Sequence, residues 1–220
     1  MGTLGPDFYA RSVLDVAPEL IGCTVTHGGV SGVIVETEAY HETEPACHAF
    51  AGLTPRTQTI FGAPGIAYVY RSYGVHALLN AVCEREGVGA AVLIRALQPL
   101  EGVEEMLARR RELGRPRSDG NGGVRVDDLC SGPGKLTQAL GIRLSENGTS
   151  LSRGPIRIAG RSRAWRDPEI IRGTRVGITH AVDVHWRFSA AGNPNVSRPR
   201  PRIAPARSTL ARVRPATRSH

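Results

Sequence analysis

A short alternating segment, from Ile34 to Tyr40, carries the residues best suited to chemistry. Successive side chains of a β-strand point to opposite faces, so Glu36, Glu38 and Tyr40 would share one face with Ile34. Two carboxylates and a phenol beside an apolar opposite face are typical of the wall of a polar site. An exposed polar face is the simpler alternative for a lone pair of glutamates. The aromatic residues that follow in the sequence favour the wall of a site over an exposed face.

The tyrosines of the chain are concentrated near that segment. Aromatic residues make up only 5% of the chain, yet four of its five tyrosines fall within 34 residues: Tyr40, Tyr68, Tyr70 and Tyr73. Burial in a core would explain them, and a flat pocket wall is the other explanation. Proteins hold unpaired nucleobases by stacking them on aromatic rings, at roughly 1–3 kcal/mol per base. A carboxylate beside stacking groups therefore suggests chemistry on a nucleobase.

Three further polar residues are candidates because of their neighbours. Arg95 lies in the apolar run 90–96, which predicts burial, and a buried guanidinium needs a carboxylate partner such as one of the two glutamates. Asn80 closes another apolar run, where a strand-end cap is the plain interpretation. His48 taken alone would more often be a surface or capped histidine than a functional one.

Several other chemistries are not indicated by this sequence. The four cysteines, at positions 23, 47, 83 and 130, lie far apart without a C-x-x-C pair, so neither a metal site nor a disulfide framework is expected. The segment 131–135 lacks the glycine spacing of a P-loop, and Leu136 stands where that motif needs serine or threonine, so no nucleotide cofactor is expected. Lys135 is the only lysine and thus the one side-chain candidate for Schiff-base chemistry.

Local patterns predict the elements that would position these residues. Helices are predicted over residues 8–20, 100–113 and 135–140. Strands are predicted over 21–26 and 32–40 around a Gly28-Gly29 turn, over 67–73 and 77–82 around Gly74, and over 90–96, 155–159, 175–179 and 186–189. Residues 114–123 form a loop by composition. Local strand pairs mixed with a few helices favour an α+β fold over an alternating βαβ fold.

The net charge of +8 comes from one end of the chain. Residues 198–220 contain seven arginines and no acidic residue, which leaves 21 basic and 20 acidic side chains in residues 1–197. We expect one domain over 1–197 and a basic, Arg- and Pro-rich disordered tail over 198–220. No apolar run reaches the about eighteen residues of a membrane span, and the first thirty residues do not follow the order of a signal peptide. A cytoplasmic protein without membrane contact is expected.

Together these motifs resemble a known family, the alkyladenine (3-methyladenine) DNA glycosylases of the mammalian N-methylpurine type. The resemblance runs from about residue 9 to residue 197 and is strongest in four ordered segments: 35–40, 68–74, 93–102 and 130–136. It implies a single mixed domain built on a curved antiparallel β-sheet with surrounding helices, without metal or cofactor. Its partner would be double-stranded DNA containing damaged purines, which glycosylases flip out of the helix. A monomer associated with the nucleoid is expected.

The resemblance assigns the catalytic roles to three residues. Glu38 looks like the general base that deprotonates a water for attack on the anomeric carbon. Arg95 would help to hold that water, and the backbone carbonyl of Val176 would be a third ligand. An alkylated purine is cationic and leaves easily, so the enzyme mainly supplies an aimed water and a negative charge near the developing oxocarbenium ion.

The resemblance also assigns the binding of the damaged base and of the duplex. Tyr40 would stack on one face of the flipped base, and His48 and Tyr70 on the other, with His48 also hydrogen-bonding the purine edge. Asn80 would crowd the exocyclic amine of guanine and so spare normal bases. Tyr73 would intercalate into the gap left in the duplex.

Two other functions stay open from the residues alone. Alternate strand residues such as Glu36 and Glu38 stand about 7 Å apart, close to the spacing in an inverting sugar hydrolase. Such carboxylates must flank the scissile bond, however, whereas neighbours on one strand face approach from the same side. The second alternative is a non-catalytic nucleic-acid-binding module that uses the aromatic cluster and the basic tail, which leaves the buried arginine without a role.

Overall fold

The computed structural model describes residues 2–72, 74, 76–113 and 124–200. In this part of the chain eight strands form one antiparallel sheet: β1 (Thr24–His27), β2 (Val30–His41), β3 (Ala67–Ser72), β4 (His76–Val82), β5 (Ala90–Glu101), β6 (Arg157–Ala159), β7 (Ile170–Gly173) and β8 (Arg187–Ala190). The strand order is β3-β4-β5-β2-β1-β6, and β8 joins β2 to β7. The predicted α+β fold class is confirmed.

Helices cover this sheet. Five α-helices lie within the described residues: α1 (Pro6–Tyr9), α2 (Val13–Glu19), α3 (Val103–Leu113), α4 (Val126–Leu129) and α5 (Pro133–Leu140). Short 3-10 helices occur at His48–Ala51, Gln58–Phe61, Leu144–Glu146 and Arg163–Trp165. α2 packs on β2 and β5, α5 packs on β4, and α3 packs on α5. None of the described helices has the length and apolar character needed to cross a membrane.

β2 is the central strand of the sheet. Its first half pairs with β1 through a turn at Gly28 and Gly29, whose φ angles of 54° and 82° glycine adopts at little cost. β5 pairs with β2 along nearly its whole length, from Ser31 to His41, and β8 pairs with residues 36–38 on the other side. The hydroxyl of Thr37, on the face away from the two glutamates, donates to the carbonyl of Ala17 in α2 at 2.8 Å. The predicted alternation is confirmed from Glu36 to Tyr40, whereas Ile34, on the other side of an irregularity at Val35, packs with Val35 in the hydrophobic core.

The predicted helix over residues 8–20 is wrong as a single element. α1 ends at Tyr9 and α2 begins at Val13. Between them Ser12 caps α2, because its hydroxyl oxygen accepts the amide hydrogen of Leu14 at 3.3 Å. A serine that can bond to nearby backbone amides favours the start of a helix over its interior.

Several strand boundaries also differ from the prediction. β1 begins at Thr24 rather than at residue 21, and β5 runs on to Glu101, so α3 begins at Val103 instead of residue 100. The predicted strand over 175–179 is wrong, because these residues form a loop after β7 in which the amide of Val176 bonds to a side chain instead of a strand. The predicted loop over 114–123 lies outside the described residues.

Candidate active site

One row of residues across the sheet brings predicted site residues together. Leu93 in β5 is paired with Glu38 in β2 on one side and with Asn80 in β4 on the other, and Asn80 is paired with Tyr68 in β3. Directly paired residues point to the same face of a sheet, and strands lie about 4.8 Å apart. Glu38 and Asn80 therefore point to the same face of the sheet, about two strand spacings apart.

Irregular pairing between β2 and β5 directs Arg95 toward the glutamates. The register shifts twice in this region, which leaves Val35 and Arg95 without a directly paired residue. Bulges of this kind bend a strand and re-aim its side chains. The guanidinium of Arg95 lies 3.3 Å from the carboxylate of Glu36 and 3.3 Å from that of Glu38. Arg95 is thus buried against carboxylates, as its apolar neighbours predict.

Glu38 is completely buried and is held by three donors. Its Oε1 accepts the amide hydrogen of Val176 at 2.8 Å and lies 3.3 Å from Nη1 of Arg95, while its Oε2 accepts the hydroxyl hydrogen of Tyr40 at 2.8 Å. Burial and then the charge of Glu38 raise the pKa of Tyr40 far above its usual value, so the phenol remains a donor. A carboxylate has about four acceptor positions. Among the described contacts, one position on Oε2 is therefore left for a water.

Arg95 connects segments that are distant in sequence. Its Nη1 donates to the carbonyl of Val176 at 3.4 Å, and its Nη2 donates to the hydroxyl of Ser197 at 3.2 Å. Burial opposes the charge of Arg95, but Glu38 and Glu36 more than offset that effect, and the pKa of Arg95 is raised. Val176 therefore turns both its amide and its carbonyl toward the pair formed by Glu38 and Arg95.

Glu36 is surrounded by protein donors and does not line the pocket. Its Oε1 accepts hydrogen bonds from Nε of Arg187 at 2.5 Å and from the hydroxyl of Ser197 at 3.0 Å. Its Oε2 accepts the amide hydrogen of Ser197 at 2.8 Å, and Arg95 completes the set. The alternative of an exposed polar face is therefore wrong for both glutamates, each of which has 0% exposure. A sugar-hydrolase pair is not supported either, because Glu36 faces structural partners.

A cavity of about 910 Å³ opens over this row of residues. It is lined by six of the residues predicted for the site: Tyr40, His48, Tyr70, Asn80, Arg95 and Val176. Glu38 lies directly behind the part of the wall formed by Tyr40, Arg95 and Val176. The cavity volume falls in the usual range for small-molecule sites, about 300–1,000 Å³. Tyr73, the predicted intercalating residue, lies outside the described residues.

Tyr68 orients two of these side chains, a role that the sequence motifs did not reveal. Its hydroxyl lies 3.1 Å from Nδ1 of His48, and its backbone carbonyl accepts a hydrogen bond from Nδ2 of Asn80 at 3.0 Å. Burial raises the pKa of Tyr68 to about 12, while burial and then the charge of Arg56 lower the pKa of His48. Both side chains are therefore neutral, and a His48 that accepts the hydroxyl hydrogen of Tyr68 at Nδ1 carries its own hydrogen on Nε2.

The rings of His48, Tyr68 and Tyr70 contact one another and form one side of the cavity. The rings of His48 and Tyr70 meet at 4.6 Å between centroids with an angle of 73°, and those of Tyr68 and Tyr70 stack at 5.2 Å and 29°. Tyr40 also lines the cavity, from β2, which is separated from β3 by β4 and β5. The cavity is thus bounded by aromatic rings from β2, β3 and the segment at His48.

The outer part of the cavity is rich in basic residues. Its lining there includes Arg56, Arg71, Arg110 and Lys135. The ammonium of Lys135 lies 2.5 Å from the carboxylate of Asp128. Over 2–72, 74, 76–113 and 124–200, no group of three or more histidine, cysteine, aspartate or glutamate side chains has the arrangement of a metal site.

Comparisons with known proteins place this chain beside a family of DNA repair enzymes. Residues 7–194 match the methylpurine-DNA glycosylase (MPG) family. A protein of Rhodopseudomonas palustris (strain ATCC BAA-98 / CGA009), named "Putative 3-methyladenine DNA glycosylase", is 53% identical over 195 residues, which cover 89% of this chain and 88% of the relative. Proteins of the same name are 50% identical in Bradyrhizobium diazoefficiens, over 89% of this chain and 90% of the relative, and 47% identical in Nitrosospira multiformis, over 88% and 92%.

Proposed function

Because this chain belongs to the methylpurine-DNA glycosylase family, we propose that its cavity receives a damaged purine flipped out of duplex DNA and that Glu38 activates the water that releases it. The chain is a DNA glycosylase, a hydrolase of N-glycosyl bonds, and its partner is DNA. The observation that carries the mechanism is the position of Glu38, which lies behind an aromatic cavity between Tyr40, Arg95 and Val176.

The proposed reaction is a hydrolytic displacement at the anomeric carbon. A water between Oε2 of Glu38, Arg95 and the carbonyl of Val176 forms the new bond to C1′ and transfers a proton to Glu38. The bond between C1′ and the purine nitrogen breaks, and the base leaves with its electron pair. The carboxylate of Glu38 also stabilises the positive charge that develops on the sugar, which is the term expected to dominate for a cationic leaving group.

The aromatic walls supply the binding of the damaged base. A purine between Tyr40 on one side and His48 and Tyr70 on the other would gain about 1–3 kcal/mol from stacking. The N–H of His48 at Nε2 would donate to an acceptor on the purine edge. Asn80, whose amide is held by the carbonyl of Tyr68, would crowd the exocyclic amine of guanine. These contacts restrict the cavity to purines that lack that amine or are already weakly bonded to the sugar.

The basic outer part of the cavity suits the phosphates that flank a flipped nucleotide. Arg56, Arg71, Arg110 and Lys135 would position the backbone without reading its sequence. Tyr73 would fill the gap left in the duplex. We further propose that the enzyme acts as a monomer associated with the nucleoid in the cytoplasm.

The test of this function is the release of free base from duplexes that each carry one damaged purine. We expect release from at least one of an alkylated purine, hypoxanthine and ethenoadenine, detected by chromatography of the free base. An undamaged duplex of the same sequence is the control. Tight binding to DNA without release from any of the three would favour a non-catalytic nucleic-acid-binding module instead.

The enzyme is expected to leave an intact abasic site. Cleavage of the strand by β-elimination needs an amine nucleophile, and besides the N-terminus the chain offers only Lys135, whose ammonium is paired with the carboxylate of Asp128. Borohydride reduction during turnover should therefore trap no covalent complex between protein and DNA, as judged by gel electrophoresis. A trapped complex that disappears in Lys135→Ala would contradict this expectation.

The basic end of the chain, predicted as a tail over 198–220, would add affinity for DNA of any sequence. Arg187 donates a hydrogen bond to the carbonyl of Pro199 at 2.9 Å, so a truncation is best placed after Arg200. Removing residues 201–220 takes away five arginines and should reduce the slope of log affinity against log salt by at most about 4.5. The single-turnover rate at saturation should stay unchanged. Equal salt slopes for the two chains would show that this end makes no contact with DNA.

A further inference from the structure

Arg175 lies behind the proposed stacking wall of the cavity. Its guanidinium is 4.7 Å from the centroid of the Tyr40 ring, and its side chain has 0% exposure. Tyr40 lines the cavity, whereas Arg175 lies over one face of the Tyr40 ring, donates to the backbone carbonyl of Ala39 and is not among the lining residues. The Tyr40 ring therefore separates a fixed cation from the space in which a base would stack.

The position and charge of Arg175 are fixed by its partners. Its two terminal nitrogens donate to the carboxylate of Glu44 at 2.6 and 2.8 Å, and one of them also donates to the carbonyl of Ala39 at 3.0 Å. Burial opposes the charge, but the hydrogen bonds and charge of Glu44 raise the pKa of Arg175, so it stays protonated. Bidentate pairing restricts the guanidinium to one orientation. The cation cannot swing away from Tyr40 without breaking this pair.

We propose that Arg175 sets the substrate preference of the cavity, because its positive charge against the rear of Tyr40 disfavours cationic damaged purines relative to neutral ones. This inference rests on the proposed function of the site. The face of an aromatic ring attracts cations through its quadrupole. At Tyr40 one face already interacts with a guanidinium, so a cationic base on the other face gains less from the ring.

Direct repulsion acts in the same direction. A base in van der Waals contact with Tyr40 would lie about 8 Å from the guanidinium of Arg175, at a site with little water between the charges. Glu44 cancels part of the field of Arg175, so a moderate effect on preference is expected rather than exclusion of cationic bases. A neutral purine experiences neither the repulsion nor the weakened cation attraction, and its stacking is preserved.

The test compares release of one cationic and two neutral bases by the double variant E44Q/R175M. Both charges are removed together, because a lone buried carboxylate would destabilise the fold. Single-turnover release is measured at subsaturating enzyme, where the rate includes binding of the base, from duplexes with 7-methylguanine, which is cationic, and with hypoxanthine and ethenoadenine, which are neutral. We expect the rate ratio of 7-methylguanine to hypoxanthine to rise about three- to tenfold, while the ratio of hypoxanthine to ethenoadenine stays constant.

One further variant tests the charge of Arg175, and a second variant, at another arginine, is a control. Arg175→Lys keeps the positive charge behind Tyr40 and should keep the wild-type ratio of cationic to neutral release. Arg172→Met is the matched control, since Arg172 lies 5.1 Å from the ring of Phe188, outside the cavity lining, and its loss should change no ratio. If E44Q/R175M does not fold, E44Q/R175Q removes both charges while keeping a polar side chain at each position, and the same rise is expected.

The outcomes distinguish this inference from the function on which it rests. An unchanged ratio of cationic to neutral release in the folded charge-removing variant would overturn the role of Arg175 while base release itself remained established. A change in the ratio of hypoxanthine to ethenoadenine release as large as the change in the ratio of cationic to neutral release would show an effect of geometry. That result would also overturn the role of Arg175. Release of none of the three bases by the wild-type enzyme would overturn both.

Discussion

Glu38→Gln is expected to reduce the release of damaged base by at least about a hundredfold, because assistance from a general base is typically worth 10² to 10⁴ in rate. Binding should persist, since the variant keeps the shape of the side chain. The amide oxygen can accept from Val176 and Arg95 where Oε1 does now, and the amide nitrogen can donate to the hydroxyl of Tyr40. The cavity wall is thus retained while the proton acceptor is lost.

Two measurements separate chemistry from binding in this variant. Single-turnover release at saturating enzyme gives the chemical step, and the dissociation constant for a damaged duplex reports binding. Glu42→Gln is a suitable control, because Glu42 follows the end of the same strand and accepts a hydrogen bond from Gly89 outside the cavity lining. Release by Glu38→Gln at the wild-type rate would remove Glu38 from the role of general base.

Glu36→Gln is expected to lower the free energy of unfolding by about 3–5 kcal/mol, the usual effect of breaking a buried ion pair by removing one partner. The carboxylate of Glu36 accepts from Arg187, Ser197 and Arg95 at 0% exposure, so its loss leaves two buried guanidiniums with Glu38 as the remaining carboxylate among their described contacts. Since domains are stable by only about 5–15 kcal/mol, this loss would be large. Urea denaturation followed by fluorescence measures it.

The same substitution on the surface provides the matched control. Glu19 forms a bidentate pair with Arg11 at 3.0 and 2.8 Å, but the two side chains are 47% and 41% exposed, and Glu19→Gln should cost less than about 1 kcal/mol. The charge-balanced double variant E36Q/R187Q should recover part of the stability lost in Glu36→Gln. Equal losses at positions 19 and 36 would contradict the anchoring role of Glu36.

Local patterns in the sequence predicted the residues whose environment is set by near neighbours. The alternation along Ile34–Tyr40 placed Glu36, Glu38 and Tyr40 on one face, because a strand has a strict period of two. The apolar run around Arg95 predicted burial against a carboxylate, since an unpaired buried charge is not tolerated. The hairpin at Gly28-Gly29 likewise followed from residue types that suit positive φ angles.

The difference between the two glutamates could not be read from that strand. Adjacent positions on one face look alike in sequence, and their tasks are divided by segments that return from the far end of the chain. Arg187 and Ser197, 151 and 161 residues away from Glu36, occupy its oxygens. Glu38 is also buried, but its three donors, Tyr40, Arg95 and Val176, are residues of the cavity wall.

The loop at Val176 is a second feature that local sequence patterns could not predict. Its β-branched residues favour a strand locally, which is why residues 175–179 were predicted as one. The tertiary structure instead uses the amide of Val176 for Glu38, 138 residues away, and the guanidinium of Arg175 for Glu44, 131 residues away. Sequence by itself determined which residues could do chemistry and which strand holds them. Only the tertiary structure decided which carboxylate is enclosed by Arg187 and Ser197 and which lies behind the cavity wall, because that depends on buried ion pairs and hydrogen bonds between segments that no local pattern relates.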